Sequence, residues 1–188
     1  MGRVIVIEFV SLDGVVSDPD GSAGTPGGGW AFRHGPETVA GDKFRLGRVM
    51  DEGVMLLGRT SWQLFSRLWP NRTDEFSTRM NKMAKVVASH TLTDVSAWSN
   101  SSLLDGLLTD YVRTEPRDVV VTGSLSVVHA LQDADLIDEY RLLTFPSIIG
   151  AGTKLFSALE SPVHLRLASV DQAGAATLAT YQRSESGS

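Results

Sequence analysis

Cysteine is absent from this 188-residue chain, which excludes disulfides, thiolate nucleophiles and cysteine metal sites. Its four histidines are far apart in sequence, so the spacing expected of a histidine metal site is missing too, and no metal is expected. No apolar run approaches the roughly 20 residues that a membrane-spanning helix needs. Positive charge is in deficit, with 17 Lys and Arg against 22 Asp and Glu and a net charge of −5. That balance argues against nucleic acid as the main partner, while a local basic cluster can still hold a phosphorylated small molecule. A signal-peptide pattern is also missing, because the chain enters the apolar Val4-Ile5-Val6-Ile7 at once. The expected address is therefore cytoplasmic. A hydrophobic content of 42% with 21% charged residues suits a soluble globular chain, read here as one domain spanning 1–188.

What is present is organised around Asp118 to Leu131, DVVVTGSLSVVHAL. Val119, Val120 and Val121 have the composition of a buried strand. Gly123 stops it, Ser124 stands where a helix N-cap belongs, and Leu125, Val127, Val128 and Leu131 recur at helical spacing. A strand turning through Gly-Ser into a helix aims backbone N–H groups and a positive dipole end at one spot, which suits a phosphate; an ordinary β-α connection has the same look.

The same pattern occurs earlier. Val54 to Leu57 reads as a strand, Gly58-Arg59-Thr60 as the turn, and Trp62, Leu64, Phe65 and Leu68 as the apolar positions of a helix closed by Pro70. Arg59 sits at the positive end of that helix, an unfavourable place for a cation unless an anion binds there. Lys85 to Ala88 is a third strand, ending in Ser89-His90-Thr91. Arg3 to Val10 is a first strand, leading into the turn Ser11-Leu12-Asp13-Gly14. The Gly- and Pro-rich stretch Asp18 to Trp30 reads as a loop over the surface or over a site. Trp30 and Phe32 at its end either line a pocket or anchor the loop. Helices are expected over Pro36 to Met50 and within Leu103 to Val112, beginning near Asp105, and a short one around Phe76 to Met80. A strand over Tyr140 to Phe145 precedes an antiparallel hairpin of Val163 to Val170 and Ala175 to Gln182.

Strands alternating with helices, then strands alone, predict an α/β fold: a mostly parallel central sheet edged by a C-terminal antiparallel hairpin. Ligands of such sheets sit outside the carboxyl ends of the strands. Three of those ends carry anion-friendly groups, which suits a dinucleotide. The exposed edge of the hairpin needs covering, and a homodimer is expected.

Leu56-Leu57-Gly58-Arg59-Thr60-Ser61-Trp62, Lys85-Val86-Val87-Ala88-Ser89, Val121-Thr122-Gly123-Ser124 and Leu136-Ile137-Asp138-Glu139 together resemble the dihydrofolate reductase superfamily. The likeness is to the branch similar to the C-terminal reductase domain of the riboflavin-biosynthesis deaminase/reductase, RibD. Trp69-Pro70, Met80-Asn81 and Ile149-Gly150-Ala151-Gly152 before Leu155-Phe156 extend it over nearly the whole chain. The resemblance implies a dihydrofolate-reductase-like three-layer fold with NADPH as hydride donor. It assigns Gly58, Arg59 and Thr60 to the cofactor phosphates and Ser89, His90 and Thr91 to the region of the 2′-phosphate. Thr122, Gly123, Ser124 and Leu125 fall near the pyrophosphate and nicotinamide. Counting back from Gly58, the acidic residue of the first helix that holds the pterin in dihydrofolate reductases falls on Asp42. Asp13 is the second candidate acid, and Trp30 and Phe32 are candidates to close the substrate pocket. Two departures concern the substrate: Thr122-Gly123-Ser124 stands where the riboflavin reductases carry an acidic residue before Gly-Gly, and their Asp-Asp-Pro segment is absent.

The expected function is an NADPH-dependent reductase acting on a C=N or C=O bond of a small pyrimidine- or pterin-like substrate. The alternatives are an NADP(H)-binding protein without turnover, the 5-amino-6-(5-phosphoribosylamino)uracil reductase of riboflavin biosynthesis, and a scaffold whose glycine turns are structural only.

Overall fold

The computed structural model describes residues 1–156 and 162–184. In chain order the elements are β1 (Val4–Ser11), a 3-10 turn (Phe32–His34), α1 (Pro36–Val39), α2 (Val49–Glu52), β2 (Val54–Gly58), α3 (Arg59–Leu68), α4 (Glu75–Lys82), β3 (Ala84–Ala88) and β4 (Ser101–Leu103). There follow α5 (Leu108–Thr114), β5 (Val119–Thr122), α6 (Leu125–Asp133), β6 (Glu139–Phe145), β7 (Leu165–Ala173) and β8 (Ala176–Arg183). Hydrogen bonding orders the strands β4-β3-β2-β5-β1-β6-β8-β7. Helices follow the strands of the first half, and the C-terminal pair is an antiparallel hairpin, as the alternation in the sequence predicts.

The chain gathers into two compact units, Met1–Val6 with Arg45–Asp138 and Ile7–Phe44 with Glu139–Ser188. In the first unit β2 pairs in parallel with both β3 and β5, and β3 pairs in parallel with β4. Every residue of β2 is buried, and Val119, Val120 and Val121 are fully so. Burying a Val or Leu side chain completely contributes about 1.5–3 kcal/mol, so these two strands dominate the unit's core. Asp138 ties the start of β1 to this unit: its Oδ2 accepts from the Val4 N–H at 2.8 Å, and its own N–H donates to the Val4 carbonyl at 3.0 Å.

Below β3 lies a buried polar knot. Lys85 is 1% exposed, and its Nζ donates to the carbonyls of Asn81 (2.9 Å), Met83 (2.7 Å) and Ser99 (3.1 Å). The ammonium also lies 4.4 Å from the centroid of the Trp98 ring. Asn81 binds the knot together, its Oδ1 accepting from Trp98 Nε1 at 2.7 Å and its Nδ2 donating to the Trp69 carbonyl at 3.0 Å.

In the second unit β8 pairs antiparallel with β6 and β7. Trp30, Ala31, Leu143, Phe145, Ala176 and Leu178 form its core, with Phe9 and Phe44 packed against it. The Gly-rich loop is held from within by Asp18, whose carboxylate accepts from the N–H groups of Ala23 and Thr25 and from the Thr25 hydroxyl.

Two helices differ from expectation. The helix predicted over Pro36 to Met50 is two single turns, α1 and α2. Gly41, Arg45 and Gly47 between them have φ of +73°, +52° and +55°, left-handed values that a right-handed helix does not accommodate. The helix predicted within Leu103 to Val112 from near Asp105 starts three residues later, at Leu108. Ser101 to Leu103 instead adds a strand beside β3, and the turn at Gly106, with φ +83°, delays the helix.

Candidate active site

Parallel pairing carries the carboxyl ends of β2, β3 and β5 to one place, with Gly58 directly beside Ala88. The turns leaving them enclose a cleft of about 450 Å³ lined by Gly58 to Ser61, Ala88 to Thr91 and Gly123 to Ser126. All of these residues belong to the first unit.

At the first turn, α3 starts with Gly58 as N-cap and no side chain capping it. The dipole end of a ten-residue helix is thus turned to the cleft with its first N–H groups uncapped by side chains. Arg59 is exposed, and its Nη1 reaches across to donate to the Thr91 hydroxyl at 3.0 Å. Among the described residues it pairs with no carboxylate. In the second turn, Ser89 Oγ accepts from the N–H groups of Thr91 (3.2 Å) and Leu92 (3.0 Å), which fixes the strand end.

The third turn requires its glycine. Gly123 has φ +65°, and a Cβ there would lie 3.3 Å from Ser61 Oγ. Ser124 occupies the N-cap position of α6 as the sequence suggests, yet its side chain does not cap that helix. Its buried hydroxyl accepts instead from the Gly58 N–H at 2.8 Å, stapling the first and third turns across 66 residues. Ser124→Ala removes the acceptor of this buried donor and is expected to destabilise the protein by about 1–3 kcal/mol. Urea unfolding measures it; a change within a few tenths of a kcal/mol contradicts the staple.

The cleft is chemically one-sided. Its lining holds an arginine, a histidine and six hydroxyl side chains, and no carboxylate. In a chain with 22 acidic residues such a lining suits an anion: helix N–H groups, a guanidinium and hydroxyl donors converge on it. The cleft brings together Gly58, Arg59, Thr60, Ser89, His90, Thr91, Gly123, Ser124 and Leu125 of the sequence-predicted set. Thr122 ends β5 one residue short of the lining. Ser61, Ala88 and Ser126 line it without having been singled out. For the two serines a signal existed, since each is a hydroxyl residue in the first turn of a helix that follows a glycine turn.

The remaining candidates belong to the second unit. Asp13 accepts from the Ser11 hydroxyl at 2.7 Å and from the N–H groups of Ile149 (3.1 Å) and Gly150 (2.8 Å), binding the Asp-Gly turn to the IIGAG turn. The Ser11 hydroxyl first, then those N–H groups, lower its pKa to about 2, so near neutral pH it is ionised and holds no proton to donate. Asp42 lies in the bend between α1 and α2 and not on a helix. Trp30 is 2% exposed, donates from Nε1 to the Ser17 carbonyl at 3.0 Å and meets Phe145 edge-on at 5.5 Å. It anchors the end of the Gly-rich loop, whereas Phe32 is 51% exposed. Among the described residues no group of three or more His, Asp and Glu could hold a metal ion, and no helix is long and apolar enough to cross a membrane.

Against known proteins, the family described as the RibD C-terminal domain matches residues 3–179. No curated protein matches the sequence. Among solved structures, a protein described with riboflavin biosynthesis from Shewanella sp. PV-4 is similar at TM-score 0.75 and 22% identity, over 97% of this chain and 99% of that one. RibD of Acinetobacter baumannii is similar at TM-score 0.63 and 16% identity, over 98% of this chain and 58% of its own. The diaminohydroxyphosphoribosylaminopyrimidine deaminase/5-amino-6-(5-phosphoribosylamino)uracil reductase of Thermotoga maritima follows at TM-score 0.59 and 15% identity. There the match covers 97% of this chain and 57% of the other. At these identities the likeness is one of fold.

Proposed function

Because the chain belongs to the RibD C-terminal domain family, with its dihydrofolate-reductase-like fold, we propose that it is an NADPH-dependent reductase. In this reading the substrate is a small pyrimidine- or pterin-like molecule reduced at a C=N or C=O bond. The observation that carries the proposal is the cleft lining, free of carboxylates and furnished with Arg59, His90 and six hydroxyls. That donor set fits a phosphorylated dinucleotide. The uncapped start of α3 receives one phosphate, the Gly123 turn lets backbone approach the pyrophosphate, and Arg59 with Ser89 and His90 receives the 2′-phosphate. When bound, NADPH supplies the hydride; the protein supplies orientation and charge. Asp42 is proposed as the carboxylate that holds the substrate ring, and cytoplasmic residence belongs to the same proposal.

The test is oxidation of NADPH followed by loss of the reduced nicotinamide absorbance, across a panel that begins with 5-amino-6-(5-phosphoribosylamino)uracil and continues through pyrimidines and pterins. At least one substrate should give turnover, and Asp42→Asn should lower that turnover by about 10-fold or more while cofactor affinity holds. Turnover unchanged in Asp42→Asn removes this residue from the mechanism.

A second reading is favoured by one observation, the ionised and fully engaged Asp13, which leaves that position without a neutral-pH proton donor. On this reading the protein binds NADP(H) without hydride transfer. Tight NADPH binding with no consumption across the panel supports it and rejects the reductase.

A further inference from the structure

Three Asp-Gly pairs occur in the chain: Asp13-Gly14, Asp20-Gly21 and Asp105-Gly106. Such a pair is chemically labile, because glycine puts no side chain in the way when its amide nitrogen attacks the preceding side-chain carbonyl. In a folded protein the reaction depends on two groups, the aspartate carboxyl and the glycine N–H. The fold ties down both groups in the first two pairs and neither in the third.

The Asp13 carboxylate accepts from the Ser11 hydroxyl and from the N–H groups of Ile149 and Gly150, while the Gly14 N–H donates to the Ser11 carbonyl at 2.9 Å. The same donors keep Asp13 ionised, a form with no hydroxyl to lose as water. Asp20 Oδ1 accepts from the Ser22 N–H at 3.1 Å and from its hydroxyl at 2.8 Å, and the Gly21 N–H donates to the Asp18 carbonyl at 3.2 Å. A Cβ at Gly21 would lie 3.2 Å from the backbone of Gly29, so that turn is closely packed as well.

Asp105-Gly106, between β4 and α5, differs on every count. Asp105, Gly106 and Leu107 are all exposed. Backbone bonding stops at the Leu104 N–H, which donates to the Val87 carbonyl at 2.9 Å, and resumes at the Leu107 carbonyl, which accepts from the Tyr111 N–H at 3.0 Å. Among the described residues neither the Asp105 carboxylate nor the Gly106 N–H has a hydrogen-bond partner. Gly106 has φ +83°, and nothing lies within 4 Å of the place a Cβ would occupy. Ring closure there meets no obstacle and breaks no bond of the fold.

We propose that Asp105-Gly106 is a modification site of the folded protein, where the aspartate isomerises to isoaspartate and becomes a substrate for carboxyl methylation. The lone pair of the Gly106 nitrogen attacks Cγ of the protonated Asp105 carboxyl. An N–Cγ bond forms, and the amide proton leaves with the carboxyl hydroxyl as water, closing a five-membered succinimide. A second water opens the ring. Attack at the former side-chain carbonyl restores Asp105; attack at its main-chain carbonyl breaks the original peptide bond and leaves the chain running through Cγ. Nothing is oxidised or reduced, and the water lost is regained. The product has one extra methylene in its backbone and a free α-carboxylate on the surface. That carboxylate is the group which a methyltransferase for isoaspartyl peptides, using S-adenosylmethionine, esterifies. The inference stands apart from the reductase reading, since neither residue lines the cleft.

Ageing the folded wild-type chain at neutral pH, then digesting it and sequencing the peptides by electron-transfer dissociation, tests the site. Isoaspartate should accumulate at Asp105 at least about 10-fold faster than at Asp13 or Asp20, the worth of the hydrogen bonds those pairs must first break. In urea those bonds are gone, and the three rates should fall within about threefold of one another. Asp105→Glu, whose longer side chain would need a six-membered ring, should fold as the wild type does and form no isomer at this position. Incubation of the aged proteins with an isoaspartyl methyltransferase and labelled S-adenosylmethionine should load methyl groups on the wild type and few on Asp105→Glu. Equal rates at the three pairs in the folded chain overturn the proposal, as does an aged wild type without isoaspartate at Asp105. So does an aged wild type that takes up no methyl group, or methylation undiminished in Asp105→Glu.

Discussion

Arg59→Ala is expected to weaken NADPH binding by about 10- to 100-fold, the loss of one or two charge-assisted hydrogen bonds at roughly 1.5–3 kcal/mol. NADH, which lacks the 2′-phosphate, should lose no more than about threefold, the value of a remote exposed charge. The argument starts from electrostatics. A cation at a helix N-terminus opposes the dipole, and among the described residues no carboxylate offsets it. Among the described residues its one side-chain tie is to the Thr91 hydroxyl at 3.0 Å, which swings the guanidinium towards the β3 end of the cleft, where Ser89 and His90 also line it. A phosphate bound there satisfies the guanidinium, the dipole and the hydroxyls together. Competitive titration of the two cofactors against wild type and variant reads the ratio. Equal losses for both reject a 2′-phosphate contact by Arg59.

Lys85→Met should produce the largest loss of stability, about 2–4 kcal/mol, from carbonyls left without a donor and a lost cation–π contact. Asn81's carbonyl keeps the Ser99 hydroxyl and the Asn100 amide as donors, each at 3.2 Å. The Met83 and Ser99 carbonyls depend more heavily on the ammonium. Methionine fills similar volume, so the loss reports hydrogen bonding rather than a cavity. The same residue has a pH signature. Burial pushes its pKa from the ordinary 10.5 down to about 8, so between those values the unfolded chain holds a proton that the folded chain has released. Stability of the wild type should therefore rise with pH across that window, and the rise should vanish in Lys85→Met. Tyr111, raised by burial and by its hydrogen bond to Glu115, acts in the opposite direction above the ordinary tyrosine value of 10, so the comparison belongs below pH 10. Urea unfolding of both proteins at several pH values measures both effects. Parallel pH curves contradict the account of Lys85.

The β-branched runs at Val54 to Leu57 and Val119 to Val121 were legible in the sequence because a buried parallel strand has no polar face and reads as an uninterrupted apolar run. The three strand ends of the cleft, two of them bearing glycine, were legible for the same reason, since the break in each apolar run locates a turn, and the parallel pairing that assembles them follows from the β-α alternation. The helix from Pro36 to Met50 was misread because apolar spacing says nothing of backbone sign. Gly41 and Gly47 can be tolerated inside a helix, and only the fold shows that both, with Arg45, are left-handed. Ser124 illustrates a different limit. Its N-cap position was readable from local pattern, but its partner is Gly58, 66 residues away, and single-sequence patterns do not encode such pairings. Asp42 was placed by counting without gaps along a helix that the chain does not form.

The account rests on the cleft being a site for a phosphorylated nicotinamide dinucleotide, and calorimetric titration of the purified wild-type chain with NADPH and with NADH tests it most directly. Saturable binding of NADPH at micromolar concentration or below, at least about 10-fold tighter than NADH, is the predicted result. No heat of binding with either, in a protein that unfolds cooperatively, contradicts it and leaves the glycine turns as elements of architecture alone.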